Sequence, residues 1–379
     1  MALSNKEEGL MSRQIVLALF AISVVASFFC ASYFSQSTSS EMPIRNPISV
    51  RDVPISWSKW DGIPTDARGR LSREDHVVEL MAPPGNLVSV SRALHYLYFF
   101  GEDLHVEVES GETKKLLPEI LNGSIFKSKQ PVFFRGGDGI VRSSIGETGS
   151  SETHIGQTLA LLGDVGVSSN VKIQLKGESC TLADVITGAT ETYSKEGETE
   201  WLLIAFLHYL PPQNTWRNRW GEAFSFDSCA RDLIARPYGE GACAGTHSLQ
   251  VLSAMILVDK QYDIISDKVN KAARDYLIGA VRLLARNTCR SGGWNHNWFN
   301  FGSGSDHSGV GTIHVTGHHL EWLLDAGDGI ELPGTILRGA AALCRLRLRE
   351  SSVNDCRSSI CPYTHAAKSL LFFEEQHTK

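Results

Sequence analysis

The sequence predicts a mainly helical protein assembled from helical hairpins, and two observations carry that prediction. First, a His-x-x-[Gln/Glu]-x-Leu pattern recurs: His154/Gln157/Leu159, His247/Gln250/Leu252 and His318/Glu321/Leu323. A partial copy, Glu200-Trp201-Leu202-Leu203, matches Glu321-Trp322-Leu323-Leu324. The Gln/Glu positions are spaced by about 43, 50 and 71 residues, the size of a helical-hairpin repeat with an insertion in the last. Second, the segments between the copies (TLADVITGATETYS, DSCARDLIARPY, KVNKAARDYLIGAVRLLARN, GTILRGAAALCRLRLRE) are amphipathic at helical spacing. Apolar helices thus alternate with amphipathic ones. Such pairs stack as an open solenoid or close into a ring, and the pattern alone leaves both open.

The ends and the first third read differently. Residues 15–34 form a charge-free, mostly apolar run preceded by Lys6 and Arg13, long enough as a helix to cross a ~30 Å hydrocarbon core. The expected order is a cytoplasmic start (1–14), a transmembrane anchor or signal peptide (15–34) and a polar tether (35–50). The remainder is then extracytoplasmic, anchored to the membrane by one N-terminal helix. Residues 51–152 read as a small mixed α/β region: a helix with Leu87, Val90, Leu94, Leu97 and Phe100 on one face, an alternating stretch LHVEVESGETKKLL, and a hairpin in PVFFRGGDGIVRSS. Residues 153–379 carry the helical repeats.

Composition narrows the partners. The net charge is −6, and the only basic run, RLRLRE at 345–350, alternates with leucine as a helix face does. Nucleic-acid binding therefore has no electrostatic footprint. Seven of the eight cysteines lie outside the apolar run, an odd number at irregular spacing, which excludes a disulfide scaffold. Cys356 and Cys361 are near enough to pair in an oxidising compartment; the other cysteines read as small buried residues.

Two motifs resemble known families. Gly292-Gly293-Trp294 after a leucine-rich helix resembles the Gly-x-Trp turn of squalene-cyclase and protein-prenyltransferase repeats, although Thr288 stands where that motif usually has glutamine. TGHHLEWLL looks like the Gly-His-x-x-Glu-Trp at inner-helix starts of sugar-epimerase-type (α/α) barrels. Both resemblances imply an (α/α) toroid: a ring of inner helices inside a ring of outer ones. The Asp-x-Asp-Asp acid of the terpene cyclases is missing. Asp227-Ser228-Cys229 resembles the zinc-binding Asp-x-Cys of prenyltransferases, with His247 or His318 as the later ligand. The spacing to either histidine departs from that family. The resemblance to epimerases implies acid/base roles for His247 and His318.

The residues themselves supply a candidate site at the inner-helix starts, where free N–H groups and the helix dipole favour negative charge. Small residues at 241–245 let the chain turn into a helix at Thr246, a candidate cap, and His247 then faces the ring. Glu321 and Gln250 follow their histidines by one turn, and Glu200 shares the Glu321 context, a possible carboxylate pair for glycosidic chemistry. Trp294, Asn295, His296 and Trp298, in a long loop rich in glycine and aromatics, and Arg217 and Arg219 in another, are candidate saccharide- or anion-binding groups. No cofactor is called for; zinc is the one metal that Asp227, Cys229, Cys243 and His247 would accept together. The leading expectation is saccharide-directed acid/base chemistry. The alternatives are a non-catalytic toroid binding a cell-surface glycan or protein, and a zinc-dependent transferase.

Overall fold

The computed structural model describes residues 48–58, 90–107, 111–122, 132–143, 154–212, 215–300, 309–326 and 329–377. The apolar run 15–34 lies outside them. Among the described residues no helix is long and apolar enough to cross a membrane.

The protein is mainly helical with small antiparallel hairpins. In chain order the elements are α1 (Val90–Phe100), β1 (His105–Glu107), β2 (Thr113–Lys115), α2 (Leu116–Asn122), β3 (Phe133–Arg135), β4 (Val141–Ser143), α3 (Gln157–Asp164), β5 (Lys172–Leu175) and β6 (Glu178–Thr181). Then follow α4 (Leu182–Thr192), α5 (Glu200–Tyr209), β7 (Thr215–Arg217), β8 (Ala223–Ser225), α6 (Phe226–Ile234), α7 (Thr246–Tyr262) and α8 (Asp267–Arg286). The last are α9 (Val310–Asp325), α10 (Gly334–Glu350), α11 (Val353–Ser358) and α12 (Ile360–His377). Each hairpin pairs only with itself, as in β5–β6, where Lys172 faces Thr181 and Leu175 faces Glu178.

Apolar pattern decides which helices lie inside. Every residue of α5 is buried, and α9 buries nearly all of its length. By contrast α8 buries only Val269, Ala273, Leu277, Ala280, Val281 and Leu284, a stripe at helical spacing. The buried helices contact one another in a cycle: α1 on α3, α3 on α5, α5 on α7, α7 on α9, α9 on α12, and α12 back on α1. The amphipathic helices α2, α4, α6, α8 and α10 pack outside them.

Three of the hairpins lead straight into an outer helix. β1–β2 runs into α2, β5–β6 into α4 and β7–β8 into α6. Side-chain caps fix two of these joints: Thr181 with Asp184 at α4, and Ser225 with Ser228 at α6. The cap of α6 is thus Ser225, and Asp227 lies in its first turn. Asp227 accepts from Ser266 N and Oγ at 2.9 and 2.7 Å and pairs with Arg231.

The inner helices run parallel. The C-terminal residues of α3, α5 and α9 all meet the segment 48–58: Ile55 N donates to His208 O at 2.8 Å, Arg51 N to Tyr209 O at 2.7 Å, and Ser58 Oγ to Asp325 at 2.9 Å. Trp57 lies over His208, ring centroids 3.8 Å apart, close to the Asp164 end of α3, whose carboxylate is 3.0 Å from His208 Nε2. Part of the stretch expected as tether is thus packed on the core, Ile48 and Val50 included. The mixed region also contributes directly to the inner cycle, through α1.

A small residue permits a close backbone approach within the cycle. A Cβ on Gly317 of α9 would stand 2.6 Å from Ala366 N of α12. Gly317→Ala is therefore expected to lose about 1–3 kcal/mol through forced separation of the two helices. Urea unfolding checks this; an unchanged midpoint would refute it.

Candidate functional site

The N-terminal ends of the inner helices bring together histidines and cysteines from every part of the chain. His95 comes from α1, His154 from the turn before α3, His247 from the start of α7, His314 and His318 from α9, and Cys361 and His365 from α12. Neighbouring imidazoles follow the helix cycle. Ring centroids are 4.9 Å apart for His154–His247, 5.1 Å for His247–His318, 3.7 Å for His318–His365 and 5.8 Å for His95–His365. His314 lies 4.8 Å from His318, and exposed His296 lies 5.7 Å from His314 at the rim.

The histidines are not all at helix starts, as the motif implied. α9 begins at Val310, so His318 is two turns inside it, while His247 is the second residue of α7. The helices begin at different heights, and the imidazoles come level because the packing is staggered.

Cys243 arrives by a strained route. It and Ala244 hold left-handed backbone angles, φ 51° and φ 58°, in the short 3-10 turn Ala242–Gly245. A residue with a Cβ pays about 1–2 kcal/mol for this conformation. Thr246 does not cap α7; its hydroxyl donates back to Cys243 O at 2.9 Å, and Gly245 holds the cap position. Glu200 braces the same turn. Its carboxylate accepts from Arg236 at 2.7 Å and Ser248 at 2.9 Å, and from Thr199 N at 2.9 Å. So fully paired, the Glu200 carboxylate ties the start of α5 to Arg236 and to the start of α7.

Two carboxylates, buried Glu321 and half-buried Glu198, serve the cluster. Glu198 Oε1 lies 2.7 Å from His154 Nδ1 and 3.5 Å from His247 Nδ1. Glu321 Oε2 lies 2.7 Å from His365 Nδ1 and 3.8 Å from His318 Nδ1, and its Oε1 accepts from Tyr98 OH at 3.2 Å. Cys361 Sγ is 3.6 Å from His314 Nε2 and 3.9 Å from His318 Nε2.

Electrostatics divides the cluster. The hydrogen bond from Cys361 favours the Cys243 thiolate against burial, helped by the neighbouring imidazoles, while the same bond and burial keep Cys361 protonated. Burial opposes a charge on His247, but the Cys243 and Glu198 anions outweigh it and hold its pKa at about 10. Burial likewise opposes the Glu198 anion, yet His154 and His247 bring its pKa down to about 2. On the other side, burial pushes His318 down to about 3 and His95 to about 4, and takes His365 well below the usual value. Neutral imidazole is the form that binds metals.

Four groups of side chains each bring their donor atoms within 4.8 Å of one another: His95/Cys361/His365, His154/Cys243/His247, Cys243/His314/His318 and His318/Glu321/His365. A tetrahedral zinc with bonds of 2.0–2.3 Å holds its donors about 3.3–3.8 Å apart, so small side-chain movements would complete such a site. The buried nitrogens have no better use. His95 Nε2, His318 Nδ1 and both ring nitrogens of His247 lack a well-formed hydrogen bond.

The other expected site residues go elsewhere. Asp227 and Cys229 belong to no metal-competent group among the described residues. Asp227 is held by Ser266 and Arg231, and buried Cys229 sits 3.4 Å from Tyr193 OH, its pKa raised to about 11 by burial. Trp294 and Trp298 are core, their indole N–H groups donating to Leu284 O and Ala244 O, each at 2.9 Å. Neither ring is available to stack on a sugar. Asn295 is buried and accepts from Asn297 N. Arg217 donates to Gly221 O, and Arg219 to Asp138 at 2.5 Å. Gln250 lines a small cavity with Ser253, Asp164 and Asp325 near the opposite end. A cavity of about 380 Å³ is also at that end, lined by Ile55, Tyr98, Asp164 and Lys368 among others. Cavity size and chemistry thus separate, and the reactive groups are with the cluster. Cys356 and Cys361 are both free; Cys361 faces the histidines instead.

Sequence reasoning missed His95, His314, His365, Cys361 and Glu198. A signal for two of them existed. His365-x-x-Lys368-x-Leu370 and His95-x-x-Tyr98-x-Phe100 repeat the histidine spacing, and Thr364-His365 repeats Thr153-His154 and Thr246-His247. Restricting the fourth position to Gln or Glu hid both copies. No known protein-family model, curated protein or solved structure matches the chain.

Two predictions concern this region. Ala244→Gly should leave stability within about 1 kcal/mol of the parent, because relief of the left-handed strain offsets the glycine entropy, whereas the β-branched Ala244→Val should cost more. Equal denaturation midpoints for the two variants would refute the strain. Asp138 is held below the usual carboxyl range, chiefly by its hydrogen bond to Arg142, then by Arg219. A depressed carboxyl contributes stability above its unfolded value near 4, lost as pH falls below it. Asp138→Asn should therefore cost under about 1 kcal/mol at pH 7 and nothing measurable in strong acid, since the pair is half-exposed. Thermal melts across pH 2–7 check the convergence.

Proposed function

We propose that this chain is a membrane-anchored metalloenzyme of the (α/α)-toroid type, with its metal at the N-terminal end of the inner ring. The anchor rests on the apolar run 15–34, and the toroid reading on the cycle of inner helices with amphipathic helices outside. The observation that carries the function is the convergence of buried and half-buried imidazoles and thiols, with ring nitrogens of His95, His247 and His318 that lack a hydrogen-bond partner.

The geometry favours a catalytic metal over a closed structural one. Cys243, Cys361, His154 and His314 are only half-buried, so the cluster has a solvent-facing side. A metal held by a few such ligands keeps a position for water or substrate. Bound there, zinc would lower the pKa of water toward 7 and polarise a substrate oxygen. The protein's own part is to hold the ligands and set the local charge. The inner helices aim their N-termini at this end, and α3, α7 and α9 have glycine at the cap, with no side-chain acceptor to offset their positive ends. That favours a small anionic substrate or a transition state that gathers negative charge, and hydrolysis is the reaction class that suits it. Saccharide chemistry loses the stacking residues that argued for it, because Trp294 and Trp298 are part of the core.

Elemental analysis of the full chain, purified without chelator or affinity metal, tests the first half of this reading: bound transition metal is expected, and metal-free protein that also fails to take up zinc would overturn it. Cobalt substitution tests the second half. Added azide should shift the visible bands if the metal has an open position, and an unmoved spectrum would make the site structural rather than catalytic.

A further inference from the structure

We infer that the ring end holds two metal centres, one on His154, Cys243 and His247 and the other on His95, Cys361 and His365. This rests on the metal reading above and goes beyond it in number and ligand assignment.

The two sets share no residue, and each brings its donors within 4.8 Å. They are built alike, each with one cysteine and two histidines. They come from different parts of the ring: the first from α7 and the turns before α3 and α7, the second from α1 and α12.

Each set also has its own supporting groups. Metal-binding histidines usually give their second ring nitrogen to a carboxylate or carbonyl, which fixes the ring and its tautomer. In the first set Glu198 Oε1 lies 2.7 Å from His154 Nδ1 and 3.5 Å from His247 Nδ1. In the second, His365 Nδ1 is 2.7 Å from Glu321 Oε2, and His95 Nδ1 is 2.7 Å from Ser91 O. The Nδ1 sides of His365, His95 and His154 are thereby occupied, which leaves their Nε2 atoms for a metal, while both ring nitrogens of His247 stay open. His95 shows this directly: the residue is 3% exposed and its Nε2 has no partner. A buried ring nitrogen left unmatched is destabilising, and a bound ion would remove that penalty.

Donor number points the same way. One tetrahedral ion takes four ligands, whereas two cysteines and six histidines gather here. His314 and His318 lie between the sets. Both group with Cys243, and their Nε2 atoms are 3.6 and 3.9 Å from Cys361 Sγ, so either can complete either centre. The Cys361-to-Cys243 hydrogen bond marks the seam where the two centres meet.

The test is a titration of the metal-free full chain with Co2+, followed by sulfur-to-cobalt charge-transfer absorption and by elemental analysis after desalting. Two equivalents are expected for the parent, and one each for Cys243→Ser and Cys361→Ser, with circular dichroism unchanged. A single equivalent in the parent would overturn the two-centre assignment while leaving one metal site standing. No binding at all would overturn both readings. Loss of both equivalents in either serine variant that keeps its fold would also overturn it, since the ions would then form one unit. If a serine variant loses its fold, His154→Gln and His95→Gln take its place, and the parent stoichiometry decides by itself.

Discussion

Closure of the inner helix cycle is the constraint on which the rest of the protein depends. Six buried helices can each touch two neighbours only if some pairs approach closely, and small residues make the room. Gly317 of α9 meets the backbone of α12 at Ala366, and Gly163 of α3 leaves space that the His208 ring of α5 occupies. Interiors packed at this density do not yield to an added methyl without a shift of backbone. Because the ring closes and its helices run parallel, all their N-termini face one way. The segment 48–58 covers their other ends through Arg51, Ile55, Trp57 and Ser58.

That directionality explains why the chemistry collects at one end. A histidine near the N-terminus of one inner helix needs only a neighbour of similar register to meet a second histidine. Six helices in a cycle turn a local habit of sequence into a cluster. The cluster is costly for a fold to keep as mere core, since buried polar groups without partners destabilise by about 1–3 kcal/mol each. The left-handed angles at Cys243 and Ala244 add to the cost. Strain at Cys243 and Ala244 and unmatched ring nitrogens at His95, His247 and His318 meet in one cluster. Natural chains keep such local conflicts chiefly where function needs them.

Glu200 and Glu321 show how far sequence context can mislead. Both precede Trp-Leu-Leu and both are buried, so the local chain treats them alike. Glu200 is met by Arg236 and Ser248 and becomes a brace for the Gly241–Gly245 turn. Glu321 is met by Tyr98 and His365 and becomes part of the cluster. The difference lies chiefly in residues 36 or more positions away in sequence. Asp227 and Cys229 make the same point: their spacing suits a metal, but one faces outward at a surface helix and the other packs on Tyr193.

The sequence by itself determined that the protein is helical, that the apolar helices α3, α5, α7 and α9 alternate with amphipathic ones, and that histidine recurs with the helical repeat. Those properties are local: apolar periodicity, caps and turn glycines act over one or two turns of chain. It also marked His247, His318 and Glu321, because they carry the repeat motif. The tertiary structure alone decided that Cys361 joins them, that Trp294 and Trp298 are core, and which carboxylate serves the cluster. These follow from ring closure, which joins α12 to α1 across most of the chain, and no local pattern encodes a contact at that separation.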